Sequence, residues 1–352
     1  MRLLIITQKV DENDDNLGFF HNWLYKFANK CQRVVVICLE KGGYHLPENV
    51  KVLSLGKEEY FRQPRVVRRL VAVARFFKYI WRERKNYDAV FVHMNPEYVV
   101  LAGLFWKILG KKIGLWYVHK SINLALRLAE KFTDKIFTAS EESFRLKSDS
   151  DKVVITGHGI DIEKFSDKIR KQRTKIKIIT VGRIAPVKNL HILIEAADIL
   201  ANRKNFRNFE IKIIGVPILK SDKKYFKQLE ESVKERRLGG FVGFLGAIPH
   251  KEIGEIYKEA DIFVHLSGTG SMDKAVLEAM ASGLPVLSSS EAFKNILPEE
   301  FIISQNSPAV LADAILNFKR PFEATLNALK NLVSEKHGLE DTIDKIITNL
   351  NE

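Results

Sequence analysis

Short apolar runs alternate with longer helical patterns along almost the whole chain, and most of the runs lack polar alternation. "RLLIIT" (2–7), "RVVVICL" (33–39), "KVLSL" (51–55), "AVFVH" (89–93), "KIGLWYV" (112–118), "KIFTA" (135–139) and "KVVIT" (152–156) read as strands. A strand that is apolar on both faces belongs in a parallel sheet covered on both sides, because each face then meets helices rather than water. Segments 18–30, 65–85, 97–109 and 121–132 carry the helical spacing between them. This β–α alternation predicts a doubly wound α/β domain.

The pattern then restarts. A polar, basic interval, "SDKIRKQRTKIK" (166–177), reads as a linker. Beyond it, "IKIITV" (176–181), "FEIKIIG" (209–215), "FVGFLG" (241–246), "DIFVHL" (261–266) and "LPVLSS" (284–289) read as strands, with helices near 188–202, 222–237, 250–258 and 273–282. A chain of 352 residues, 46% of them apolar, can fill two cores. The expected domains are 1–168 and 175–335, both Rossmann-like, with a C-terminal helix over 336–352 packing back toward the first. Two such domains would face one another across a cleft, and ligands of parallel sheets bind at the carboxyl ends of strands.

Charge and composition narrow the partners. The formal net charge is +13. The first 165 residues hold 28 Lys and Arg against 19 Asp and Glu, and the rest 28 against 24. Such a field favours sugar nucleotides, acidic lipid surfaces or nucleic acid. Nothing resembles a recognition helix or a base-stacking motif, so nucleic acid ranks last. The two cysteines, Cys31 and Cys38, form neither a disulfide framework nor a zinc site. No stretch approaches the roughly 20 apolar residues of a membrane span. "MRLLIIT" is too short for a signal peptide, so a cytoplasmic protein is expected. "DSD" (149–151) looks like an acidic metal motif but sits in a polar turn, and no metal is expected.

Three loops can carry chemistry. Gly182 lets the chain turn tightly after the first strand of the second domain, and Arg183 and Lys188 follow at its carboxyl end. A planar fork and a point charge together can neutralise a diphosphate, or both can be solvated surface cations. "SGTGSMDKAVLEAMASG" (267–283) places a Gly/Ser loop before a helix. Its N–H groups and dipole could face the same anion, and Glu278 could accept from ribose hydroxyls or be a salt-bridged helix residue. His119, at the end of "LWYVH", and His93, at the end of "FVH", could meet a sugar or be structural; His265 reads as core.

The second half resembles the catalytic domain of family 4 retaining glycosyltransferases, which have the two-domain GT-B fold. "VGRIAPVKNLHILIEAADIL", "FLGAIPHKEIGEIYKEADIFVHLS" and "AVLEAMASGLPVLSS" carry the resemblance, in the family's order. "GHGIDIEKF" (157–165) resembles the segment that closes the first domain. The resemblance implies that Arg183 and Lys188 hold a donor diphosphate and Glu278 the donor ribose. The amides of Ser271, Met272, Asp273 and Lys274 would touch phosphate and sugar. Gly246 to Pro249, including Ala247 and Ile248, would lie against the base. Gly18 would lie near acceptor and phosphate, and His119 beside the transferred sugar. It further implies a nucleotide-diphosphate sugar as donor substrate, no bound cofactor, and a glycan or lipid-linked glycan as acceptor.

One departure stands out. The family pairs two glutamates eight positions apart, and the position eight before Glu278 is Gly270. Asp273 or loop amides are expected to replace the missing contact to the sugar. Two other functions share this fold or fit the departure: a sugar-nucleotide epimerase, and a catalytically weak sugar-nucleotide binding protein. Segment 61–85 has nine cations against one acid, Glu83, with apolar residues on a broad face. It reads either as an ordinary domain helix or as a peripheral contact with anionic lipid at the inner membrane face.

Overall fold

The computed structural model describes residues 1–59, 63–146, 150–165, 175–268, 272–303 and 306–352. Most of the expected linker (166–174), the loop residues Gly270 and Ser271, and Asp149 of the "DSD" turn lie outside them. The chain divides into two compact units. One comprises Met1–Asp161, Pro249–Lys251 and Lys336–Glu352, the other Ile162–Ile248 and Glu252–Glu335.

The first unit contains β1 (Arg2–Val10), α1 (Phe19–Lys30), β2 (Arg33–Lys41), β3 (Val50–Ser54), α2 (Arg65–Arg82), β4 (Ala89–His93) and α3 (Pro96–Ile108). Then come β5 (Lys112–Trp116), α4 (Leu124–Phe132), β6 (Lys135–Thr138) and β7 (Val153–Ile155). The seven strands are parallel, in the order β3-β2-β1-β4-β5-β6-β7. Val34 to Cys38 of β2 are fully buried, as their unbroken apolar run requires. One face of the sheet packs on α2, α3 and α4 through Phe76, Ile80, Val99, Trp106 and Leu126.

The second unit contains β8 (Ile176–Val181), α5 (Leu190–Asp198), β9 (Phe209–Ile214), α6 (Lys220–Glu235), β10 (Val242–Gly246) and α7 (Ile253–Glu259). It continues with β11 (Ile262–His265), α8 (Lys274–Ala281), β12 (Val286–Ser288), α9 (Pro308–Leu316) and α10 (Glu323–His337), whose last two residues belong to the first unit. Its strands are parallel in the order β10-β9-β8-β11-β12.

The last helix, α11 (Leu339–Asn351), returns to the first unit. Leu339, Ile343, Ile346 and Leu350 recur at helical spacing and join α1 on the second face of the seven-stranded sheet. Polar backbone pairing guides the return: the Ile160 N–H donates to the His337 carbonyl at 2.7 Å, the Leu339 N–H to the Ile160 carbonyl at 2.9 Å, and the buried Thr342 hydroxyl to the Thr156 carbonyl at 2.8 Å.

Candidate active site

The five-stranded sheet adds β9 and β10 on one side of β8, then crosses back to add β11 and β12 on the other. At such a reversal the loops leaving the two central strands diverge, and a crevice opens at their carboxyl ends. The switch point of this unit therefore lies between the ends of β8 and β11, at Val181 and His265.

Local backbone chemistry shapes the β8 side. Gly182 has φ +144° and Gly215, after β9, has φ +130°. A Cβ on Gly215 would stand 2.0 Å from the Gly182 carbonyl oxygen, so the two strand ends cross only without a side chain there. The sequence motif pointed to Gly182; Gly215 was not singled out, although "IIGV" places a glycine at a strand end.

Beyond Gly182 the chain makes a single 3₁₀ turn over Pro186–Lys188 and then a left-handed residue, Asn189, at φ +51°. Asn189 donates from Nδ2 to the Leu266 carbonyl at 2.9 Å, and the Gly268 N–H donates to the Val187 carbonyl at 3.0 Å. These two bonds stitch the Lys188 turn to the loop that leaves β11. Residues from two distant motifs thus meet.

The meeting point is a charge cluster. Lys188 Nζ lies 2.5 Å from Asp273 Oδ2. The same oxygen is 2.6 Å from His265 Nε2, and His265 Nδ1 is 3.1 Å from Ser288 Oγ. Ser288 Oγ also accepts the Ser290 N–H at 3.2 Å. The Asp273 carboxylate can only accept, so His265 Nε2–H donates to it, and in the neutral ring Nδ1 then accepts the Ser288 hydroxyl proton. Burial alone would push the Asp273 carboxyl up. The His265 hydrogen bond and the Lys188 charge outweigh it and hold the group well below the usual carboxylate range.

His265 is buried, as its apolar surroundings in sequence suggest, but it is not simply core. A core histidine needs only a local partner; this one spans from β12 to the residue preceding α8. The available signal was its place as the last residue of a strand next to the switch point.

Arg183 is exposed, with Nε 3.7 Å from Asp222 of the first turn of α6. Asp222 is buried and caps that helix by accepting the Leu219 N–H at 3.1 Å. The guanidinium is therefore braced on one edge and open on the other. Lys274 carries its ammonium nitrogen into the interior, although its stem is partly exposed. Burial pushes its pKa down to about 7, against the opposing pull of Glu278. Glu278 is buried one turn further along α8, with Oε2 3.2 Å from the Tyr257 hydroxyl. Ala247 and Ile248 follow β10, whose end is tied to the neighbouring strand by the Gly215 N–H on the Gly246 carbonyl at 2.8 Å. Met272, half-buried, precedes Asp273.

Two expected residues lie in the first unit. Gly18 precedes α1, and a Cβ there would meet the Asp14 carbonyl oxygen at 2.3 Å. Asp14 is held by Lys9 Nζ at 2.7 Å and accepts the Asn16 and Leu17 N–H groups. His119 does not end a strand: β5 stops at Trp116, and His119 sits in the exposed loop beyond, its ring 5.7 Å from Tyr117. Partial burial lowers its pKa, so the ring is neutral near pH 7. The second histidine candidate, His93, is the last residue of β4. It is buried, stacked 4.1 Å from Phe20 and 5.2 Å from Trp116, with Nδ1 3.3 Å from the Thr7 hydroxyl. Among the described residues no group of three or more His, Cys, Asp or Glu is placed to hold a metal ion.

Known proteins extend this geometry. Residues 161–320 match the family model for glycosyl transferases group 1. The chain is 26% identical over 349 residues to an Escherichia coli UDP-Gal:alpha-D-GlcNAc-diphosphoundecaprenol alpha-1,3-galactosyltransferase, covering 88% of this chain and 87% of that one. It is 35% identical over 150 residues to the amylovoran biosynthesis glycosyltransferase AmsK of Erwinia amylovora, covering 41% of this chain and 35% of the relative. Among solved structures, Anabaena HepE in complex with UDP and glucose superposes over 100% of both chains with a TM-score of 0.76 at 16% identity. A sucrose-phosphate synthase from Thermosynechococcus elongatus gives 0.72 at 16% identity, over 99% of this chain and 98% of that one. The two parallel α/β sheets and these likenesses give the chain the GT-B fold, and its residues 161–320 carry the likeness to glycosyl transferases group 1.

Proposed function

We propose that the chain is a retaining, family 4 enzyme that moves a sugar from a nucleotide-diphosphate donor to a glycan or lipid-linked glycan of the cell surface. The observation that carries this reading is the gathering of Arg183 and Lys188 at the switch point of the second unit, beside the start of α8. In the proposal residues 175–335 serve the donor and residues 1–168 the acceptor. Names of relatives support the substrate class: the E. coli relative uses UDP-Gal and a diphosphoundecaprenol acceptor, and HepE was crystallised with UDP-glucose. A lipid-linked acceptor would bring the enzyme to the inner membrane face, with segment 61–85 as its contact.

The residues would act by position and charge. In a retaining transfer the acceptor attacks from the face on which the diphosphate leaves, so the protein must orient two substrates and stabilise separating charge. Arg183, Lys188 and the amides of Ser271 to Lys274 would take the negative charge growing on the leaving diphosphate. Glu278 would hold the ribose, Ala247 and Ile248 would line the base, and Gly18 and the neutral His119 would serve the acceptor side and the sugar.

Asp273 modifies the expected role. Its carboxylate is engaged by Lys188 and His265 through one oxygen. It acts as the residue that aims Lys188, in a chain where Gly270 stands at the family's first glutamate. The test is hydrolysis and transfer with a panel of UDP-, GDP- and ADP-sugars, following the anomeric configuration by NMR. Release of nucleoside diphosphate with the product keeping the donor's configuration supports the proposal. Inverted product, or conversion of the sugar nucleotide without release, refutes it.

A further inference from the structure

The helices over one face of the seven-stranded sheet turn outward an apolar surface that packing does not explain. α2 buries Phe76 and Ile80 against the sheet. Val66, Leu70, Val73, Phe77 and Trp81 fall at i, i+4, i+7, i+11 and i+15, a single stripe beside that buried edge. All five are exposed, from 37% at Val73 to 68% at Val66. On α3, Leu101, Leu104 and Ile108 form a second stripe at i, i+3 and i+7, with Ile108 76% exposed. On α4, Leu124 is 71% exposed and Leu128 follows one turn on. The helices are neighbours: the Trp81 ring lies 6.0 Å from Phe105, and α3 packs along α4. Single exposed leucines are ordinary; aligned stripes on three adjacent helices are a surface built for a partner.

The charge around the stripes selects the partner. Residues 63–85 hold eight Lys and Arg and one acid, Glu83. Glu83 is buried and takes bonds from Lys51, Arg82 and Asn86, so it presents no negative charge outward. The Arg84 guanidinium lies 4.2 Å over the exposed Trp81 ring, which puts a cation at the edge of the apolar stripe. A second copy of this chain would bring like charge against like. No described helix is long and apolar enough to cross a membrane.

We propose that the α2–α3–α4 face docks flat on an anionic lipid bilayer. Its apolar stripes enter the boundary between headgroups and acyl chains, and its Lys and Arg side chains meet acidic headgroups. The surface alone carries the proposal; it deepens the reading of a lipid-linked acceptor, which supplies only the biological motive.

Tryptophan emission reads the docking directly. The chain has four tryptophans, and Trp23, Trp106 and Trp116 are already buried. Only Trp81, 57% exposed, gains an apolar environment on docking. The full chain is mixed with vesicles of phosphatidylcholine alone or with added phosphatidylglycerol. The expected result is a blue shift and co-sedimentation with the anionic vesicles, about tenfold weaker on neutral ones and reversed by salt. The double variant Leu70→Glu, Phe77→Glu should bind about tenfold less, with an unchanged circular dichroism spectrum and unchanged donor hydrolysis in solution. No binding to anionic vesicles at low salt overturns the proposal. So does equal binding by the variant, or a dimer that the variant abolishes without any vesicle binding. Donor hydrolysis without vesicles fails only if the enzymatic reading fails, so the two outcomes stay separable.

Discussion

Replacing Asp273 tests the charge cluster most sharply, because one carboxylate oxygen serves two partners. Asp273→Ala removes the 2.5 Å contact to Lys188 and the 2.6 Å bond from His265. Both side chains of the Lys188 pair are largely covered, 20% and 24% exposed. A charge-assisted bond contributes about 1.5–3 kcal/mol, and stranding a fully buried partner costs about 3–5 kcal/mol. The partial exposure puts the loss near the lower range, about 2–3 kcal/mol, or roughly 7 °C in the melting of a unit this size. Denaturant unfolding measures it. The pH dependence gives a second check. The carboxyl is held below its unfolded value of about 3.9, so the stabilisation is fully present above that pH and fades as pH falls below it. The gap between wild type and variant should therefore close in acid. Donor turnover should fall about 100-fold, the loss seen when one charge-stabilising group is misplaced. A folded Asp273→Ala variant with near-normal turnover refutes the positioning role.

Other consequences follow from the same structure. Gly215→Ala should destabilise the second unit by about 3 kcal/mol and impair donor binding, since its Cβ would strike the Gly182 carbonyl; an unchanged urea midpoint contradicts this. Burial, helped by Lys336 and Lys345, lowers the His337 pKa to about 4, so the unfolded chain takes up that proton first as pH falls from about 6.5. Wild type should lose up to about 3 kcal/mol between pH 6.5 and 4 on this account, and His337→Gln should flatten that slope in pH-dependent denaturation. Lys274 is lowered to about 7, so folding stability should rise with pH from 7 toward 10.5, and Lys274→Met should remove that rise.

The two sheets were legible because unbroken apolar runs such as "RVVVICL" can be satisfied only between two layers of helices. The place of Gly182, Arg183 and Lys188 past the end of β8 was legible because a glycine, a fork and a point charge follow one apolar run. His265 was not. Inside "DIFVHL" it reads as buried, which it is, but Ser288 comes from β12, which the β11–β12 register sets opposite His265, and Asp273 comes from the residue before α8. His93 and His119 show the same limit in reverse. Each follows an apolar run, yet one ring is stacked among Phe20 and Trp116 while the other stands in a loop past the strand end. Sequence fixes that a histidine lies near a strand end; side-chain direction and the last few residues of register decide what it meets. The outward stripes of α2, α3 and α4 were partly legible. The broad apolar face of 61–85 was visible, but which side the sheet covers was not.

The central claim is that Arg183 and Lys188, at the carboxyl ends of β8 and its neighbours, form a nucleotide-diphosphate site. Calorimetric titration of UDP, GDP and ADP into wild type and into the double variant Arg183→Ala, Lys188→Ala tests it directly. At least one nucleotide should bind the wild type, and the double variant should bind it at least about 100-fold more weakly, the loss of two charged phosphate contacts. Equal affinity in a folded double variant, or no binding of any of the three to the wild type, would contradict the account.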